Sequence, residues 1–234
     1  MVIIKTKKGR SFRSFGYERT TAIMKDIFSY NFDLSRNAYL NWRTDKVDQA
    51  HNLYVLASDY ADGAVFLVNV ILEDNRDKKA DALIMPIMYC IDQSIEVYLK
   101  AIIRRIEMIT GEARSNFKTH DIKELYSALR GHIKKKEVKT SGLQKLLLPL
   151  STFIDELYSR IQTTGENGKD SFGIDFARYP IKVDGTPHFY ITADENVVID
   201  VENLGGRFIE IRNCLESLYL MYDAEEDALT DQQI

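Results

Sequence analysis

An arginine and a histidine six residues apart, Arg114 and His120, bound the stretch Arg-Ser-Asn-Phe-Lys-Thr-His. Metal-free cleavage of RNA needs a base to take the 2′-hydroxyl proton and a cation to hold the charge that develops on the phosphorane. This pair supplies both. His120 also stands beside Asp121, where a helix is expected to open, and an imidazole there can instead cap backbone N–H groups. Upstream, Asp92, Glu96, Lys100 and Arg104 follow one another at four-residue steps and so line one stripe of a helix. Two readings of that stripe stand. Glu96 and Lys100 form an i,i+4 ion pair, or the stripe faces a cleft and Lys100 and Arg104 receive a phosphate. Downstream, Pro180 fixes a loop exit after Arg178 and Tyr179. Those two side chains either close over the rest and reach a carboxylate such as Glu96 or Asp121, or serve the structure alone.

Other chemistries leave no trace. Gly-x4-Gly-Lys-[Ser/Thr], Gly-x-Gly-x-x-Gly and Gly-x-Ser-x-Gly are all missing from the sequence. The four histidines, His51, His120, His132 and His188, give no His-x3-His and no Cys/His pair at ligand spacing, so no metal site and no cofactor are expected. Lys and Arg total 31 against 35 Asp and Glu, so no global basic field advertises nucleic acid. Locally the balance reverses. Lys5, Lys7, Lys8, Arg10, Arg13, Arg19 and Lys25 face one acid, Glu18, and interleave with Phe12, Phe15 and Tyr17. That mixture can stack on and neutralise nucleic acid, or fold as a basic arm onto an acidic remainder. Cys90 and Cys214 each lie in an apolar helical pattern, which predicts reduced thiols in a reducing compartment. Residues 1–4 are too short for a signal core, and the apolar run Leu83 to Ile91 is about half a membrane span. A cytoplasmic protein with no membrane contact is expected.

The elements that must position these residues are mostly helices. Residues 82–130 read as one long, mostly buried helix, a short polar connection and a second helix opening at Thr119-His120-Asp121. Before them, Thr44 or Asp45 caps a helix to about Glu73, with Val47, Ala50, Tyr54, Ala57, Ala61, Ala64, Val65, Val68 and Ile71 at steps of three and four. Trp42, the only tryptophan, is expected to anchor the N-terminal segment to the bundle. A third helix over about 120–133 precedes a basic loop, GHIKKKEVKTSG, and a fourth carries Leu147 to Ile161 with Pro149 setting its start or a kink. Ile181-x-Val183, Asp184-Gly185 and Phe189-Tyr190-Ile191 predict a hairpin, and Val197 to Val201 a further short strand closed by Gly205-Gly206. Phe208, Ile211, Leu215, Leu218 and Tyr222 mark a last helix. The fold class is therefore mainly α: an antiparallel up-and-down bundle of about five helices with a small β insertion. Its domains are a basic segment 1–44, a bundle 45–225 with the β excursion at 181–203, and an acidic tail 226–234.

Three blocks now stand in order: Ser94-Ile95-Glu96-x-x-Leu99-Lys100-Ala101, Thr119-His120-Asp121-Ile122-x-x-Leu125 and Ala177-Arg178-Tyr179-Pro180. Together, over about residues 45–225, they resemble the HEPN superfamily (higher eukaryote and prokaryote nucleotide-binding domain). The resemblance implies a helical bundle, often a homodimer, working on RNA or nucleotides in prokaryotic defence and stress. Such settings include toxin–antitoxin pairs, phage defence and abortive infection, and partnership with a nucleotidyltransferase. It also implies, for active members, a metal-independent endoribonuclease with an Arg-x4–6-His motif, which falls here on Arg114 and His120. In the family the arginine is usually followed by Asn, Asp or His; here it is followed by Ser115. Lys100, Arg104, Asp121, Arg178 and Tyr179 are the expected RNA or nucleotide contacts. A catalytically silent interaction module, an antitoxin or a nucleotidyltransferase partner, remains the other reading.

Overall fold

The computed structural model describes residues 25–136, 141–161, 163–164, 170–171, 175–182 and 184–231. The basic cluster of residues 1–24, residues 137–140 of the basic stretch, Val183 and residues 232–234 lie outside the described residues. The chain separates into two compact units, Met1–Leu40 and Asn41–Ile234. In the first, Asn31 and Asn37 staple a loop by exchanging backbone and side-chain hydrogen bonds at 2.8 Å each, around a single turn at Leu34–Arg36 capped by Asp33.

The second unit is a helical bundle around two consecutive helices, α1 (Gln49–Glu73) and α2 (Ala80–Thr110). Helix α1 buries Ala50, Ala57, Ala61, Ala64, Val68 and Ile71, and this small-residue row lets it pack closely along α2. It starts later than Thr44 or Asp45. Asp48 accepts the His51 N–H at 2.8 Å and caps it, whereas Asp45 closes a separate turn on the Val47 and Asp48 amides. Val47 is left exposed. Trp42 is 74% exposed, with the Arg43 guanidinium 5.6 Å from its ring; most of the N-terminal segment it was expected to anchor lies outside the described residues.

Helix α2 is buried almost all round from Ile91 to Glu107 and packs against α1, α3, α6 and α8. Both α1 and α2 are long and apolar enough to cross a membrane by length and composition. In the bundle the polar stripe of α2, Asp92 through Arg104, is turned inward with the rest. Gly111, at φ 66°, ends the helix by giving its N–H to the Glu107 carbonyl, a left-handed cap that only glycine adopts without strain.

The remaining α-helices among the described residues are α3 (Ile122–Lys136), α4 (Ser141–Leu146), α5 (Leu148–Ile161), α6 (Asp175–Arg178), α7 (Phe189–Thr192) and α8 (Val201–Asp231). Five of the eight run 14 residues or more, in line with the mainly α reading. The first half of the expected basic loop is instead helical. Ile133 continues the buried row Ile122, Leu125, Leu129, and Lys134 to Lys136 at the C-terminus suit the helix dipole. Pro149 is the second residue of α5, where its missing N–H costs nothing.

The β insertion does not form at 181–203. Pairing there stops at one bridge, Ile181 to Pro187, closed by Gly185 at φ 84°. Pro180 and Pro187 lack the N–H groups that would extend the ladder. Phe189 to Ile191 turn into α7, and Val201 already belongs to α8. The described pairing that does occur lies upstream, Thr163–Thr164 (β1) antiparallel to Asp170–Ser171 (β2). Gly205 and Gly206 do not end an insertion either; both are helical. A Cβ on Gly205 would stand 2.7 Å from Val68 Cγ1, so this glycine serves the approach of α8 to α1.

Candidate functional site

The stripe of α2 holds two buried ion pairs, one turn of helix apart. Lys100 Nζ donates to Glu96 Oε1 at 2.6 Å, and the Arg104 guanidinium donates to Glu107 Oε2 at 2.9 Å. Of the two readings of the stripe, the geometry is that of ion pairs. Lys100 and Arg104 are both buried with their heads on carboxylates, so neither is presented to a phosphate.

The second pair shapes the connection between α2 and α3. Glu107 accepts the Ser115 N–H at 2.9 Å and the Ser115 hydroxyl as well, while Arg104 donates to the Ser115 carbonyl at 3.0 Å and lies over the Phe117 ring. Ser115 is thereby clasped at its amide, hydroxyl and carbonyl. The short Ser115 hydroxyl fits this clasp. Glu112, in the same connection, meets His132 and Lys135 of α3 at 3.0 and 3.2 Å. Neither Glu107 nor Ser115 was a candidate from the sequence. The step of three from Arg104 to Glu107 was the available signal.

The first pair reaches the surface. Glu96 Oε1 also accepts from His120 Nδ1 at 2.9 Å; Glu96 is buried, whereas the His120 side chain is 79% exposed. An ionised carboxylate only accepts hydrogen bonds, so Nδ1 carries the proton and Nε2 of the neutral ring keeps its lone pair. His120 does not cap α3. Asp121 does, accepting the Lys123 and Glu124 amides at 2.8 and 3.1 Å and the Tyr158 hydroxyl at 2.7 Å. Burial, and then the Asp121 carboxylate, push the Tyr158 phenol above its ordinary range.

Behind this surface lies Asp92, almost fully buried and without a hydrogen bond or ion pair to a described residue. Burial holds its carboxyl well above the usual carboxylate range, and the charges of Glu96, Asp121 and Asp175 add to the effect. Two of the sequence blocks therefore meet at this point of α2; the third does not, and its place is taken by Asp175, which lies just before it on α6. Arg178 stays exposed, bonded to the Tyr179 hydroxyl at 3.3 Å and 3.7 Å from Asp175, and reaches neither Glu96 nor Asp121.

Arg114 is exposed and makes no hydrogen bond or ion pair with another described residue, His120 included. Among the described residues no three His, Cys, Asp or Glu side chains group as metal ligands. A cavity of about 880 Å³, walled by Phe153, Leu157, Phe176, Val198 and Leu204, is separate from this site and includes neither Glu96 nor His120. The arrangement can do base chemistry at an exposed, oriented imidazole, with a free guanidinium six residues upstream. Comparison with protein-family models, with curated proteins and with solved structures found no match to this chain.

Proposed function

We propose that this chain is a HEPN-like protein that binds RNA in a prokaryotic defence or stress setting and cleaves it without a metal, using His120 as base. The observation that carries the reading is the Glu96–His120 contact. A buried carboxylate, neutralised by Lys100, orients an exposed imidazole and leaves Nε2 free to take a 2′-hydroxyl proton. The 2′-oxygen then attacks phosphorus, the 5′-oxygen leaves, and a guanidinium offsets the charge of the phosphorane. Arg114 supplies a guanidinium with no hydrogen bond or ion pair to another described residue. Since it does not touch His120 within one chain, the complete site takes the pair from two chains of a cytoplasmic homodimer. Arg178 and Tyr179, both exposed, are further contacts for RNA or a nucleotide. Lys100 and Arg104 act behind the surface.

The test is cleavage of mixed RNA in EDTA by the native protein, His120→Ala and Arg114→Ala, with folding followed by circular dichroism. Activity in the native protein that both substitutions abolish is the expected result. An inert native protein would remove catalysis and favour the second reading, a silent antitoxin or nucleotidyltransferase partner. The observation behind that reading is the exposure of Leu56 and Phe66 on α1 and of Ile209 and Leu220 on α8, apolar side chains a partner would cover.

A further inference from the structure

Resting on the RNA reading, we propose that the outward face of α3 is a second RNA subsite, which takes the phosphodiester backbone of the single strand leading away from His120. Lys123, Ser127, Arg130 and Lys134 recur at steps of four, three and four, so they stand in one row, and all four are exposed. The row opens three positions after His120 and spans about 17 Å at 1.5 Å per residue. That length suits several nucleotides of a strand rather than one phosphate group.

Two charges of this row, those of Arg130 and Lys134, are available, while Lys123 already lies over the Tyr158 ring, 5.5 Å from its centroid. Arg130 and Lys134 form no ion pair with a described residue, although the neighbouring lysines do: Lys135 is 3.2 Å from Glu112 and Lys136 is 2.6 Å from Glu225. Glu124 is the acid of the same exposed surface, near its start. Beside the row, Tyr126, Ser127, Arg130, Lys134 and Gln144 wall a cleft of about 340 Å³ between α3 and α4. Two cations, a hydroxyl and an amide there can hold phosphate oxygens. The Tyr126 ring, with the Arg130 guanidinium 5.8 Å from its centroid, offers a face on which a base can stack. A lipid surface fits less well. The large apolar side chains of α3 are turned inward and none stands exposed to insert between lipids.

Binding is measured by fluorescence anisotropy with a labelled single-stranded RNA of mixed sequence, on full chain carrying His120→Ala so that cleavage does not interfere. Adding Arg130→Gln and Lys134→Gln is expected to weaken binding at least about 10-fold. It should also flatten the slope of log affinity against log salt by about 1.4, two contacts at about 0.7 each on a single strand. Unchanged affinity and slope, with Arg114→Gln still weakening binding, would overturn the α3 subsite and leave the His120 site standing. Failure of the chain to bind any RNA would overturn both. Binding to phosphatidylserine vesicles that the double substitution abolishes, with RNA binding untouched, would assign the row to a membrane and overturn the proposal as well.

Discussion

Arg105 and Glu96 are both charged, both nearly fully buried and nine positions apart on α2, yet their networks end differently. Arg105 is surrounded by Asp48 at 2.7 Å, Asp223 at 2.6 Å, Glu226 at 2.9 Å and the Tyr219 hydroxyl at 2.7 Å. Every partner belongs to the chain, and the cluster ties the cap of α1 and the last turns of α8 to the centre of α2. Glu96 has Lys100 inside and His120 outside. One network closes on itself; the other delivers an oriented ring to solvent. Burial of a charge therefore does not mark a site by itself. What matters is whether its hydrogen bonds end at a group that a substrate can meet.

The comparison breaks most sharply at Arg105. Arg105→Met leaves three carboxylates facing one another, and a loss of about 3–5 kcal/mol in urea unfolding is expected. A loss under about 1 kcal/mol would mean that the cluster does not hold the helices. At the other network, Glu96→Gln with Lys100→Met removes the pair together, so no buried charge is stranded and stability should stay within about 1 kcal/mol. RNA cleavage should nevertheless fall by about 100-fold, because His120 loses its orienting carboxylate. Equal losses of stability and activity would make the Glu96 network as structural as that of Arg105.

The smallest effect is expected at Asp92 and depends on pH. Its folded-state carboxyl titrates above the unfolded value of about 3.9, chiefly through burial. The fold is therefore favoured below that value and loses stability as pH rises toward the folded value. Asp92→Asn removes the penalty. The variant should be the more stable protein at pH 7, with the difference vanishing near pH 3.5. A variant less stable at pH 7 would show that Asp92 works as a carboxylate.

Much of this arrangement was legible because it is local in the chain. The rows of α1, α3, α5 and α8 follow from steps of three and four, and the Glu96–Lys100 pair from a step of four. What escaped depends on contacts across loops. Arg104 looked available until Glu107 and Ser115, on the two sides of Gly111, were seen to enclose it. The charge of Asp175 bears on Asp92 because α6, with Phe176 buried, packs against α2. The alternation at 181–203 resembled a hairpin, but Pro180 and Pro187 withhold the N–H groups a ladder needs. The glycines at 205 and 206 looked like a turn because spacing does not reveal that Val68 lies against one of them.

The most direct test is the tautomer of His120, read from its ring ¹⁵N shifts in the native protein and in Glu96→Gln/Lys100→Met. At a pH where the ring is neutral, the native protein should show the proton on Nδ1 and an unprotonated Nε2, and the double variant should lose that preference. A native His120 protonated on Nε2, or one that does not respond to the substitutions, would contradict an imidazole presented by Glu96 as a base.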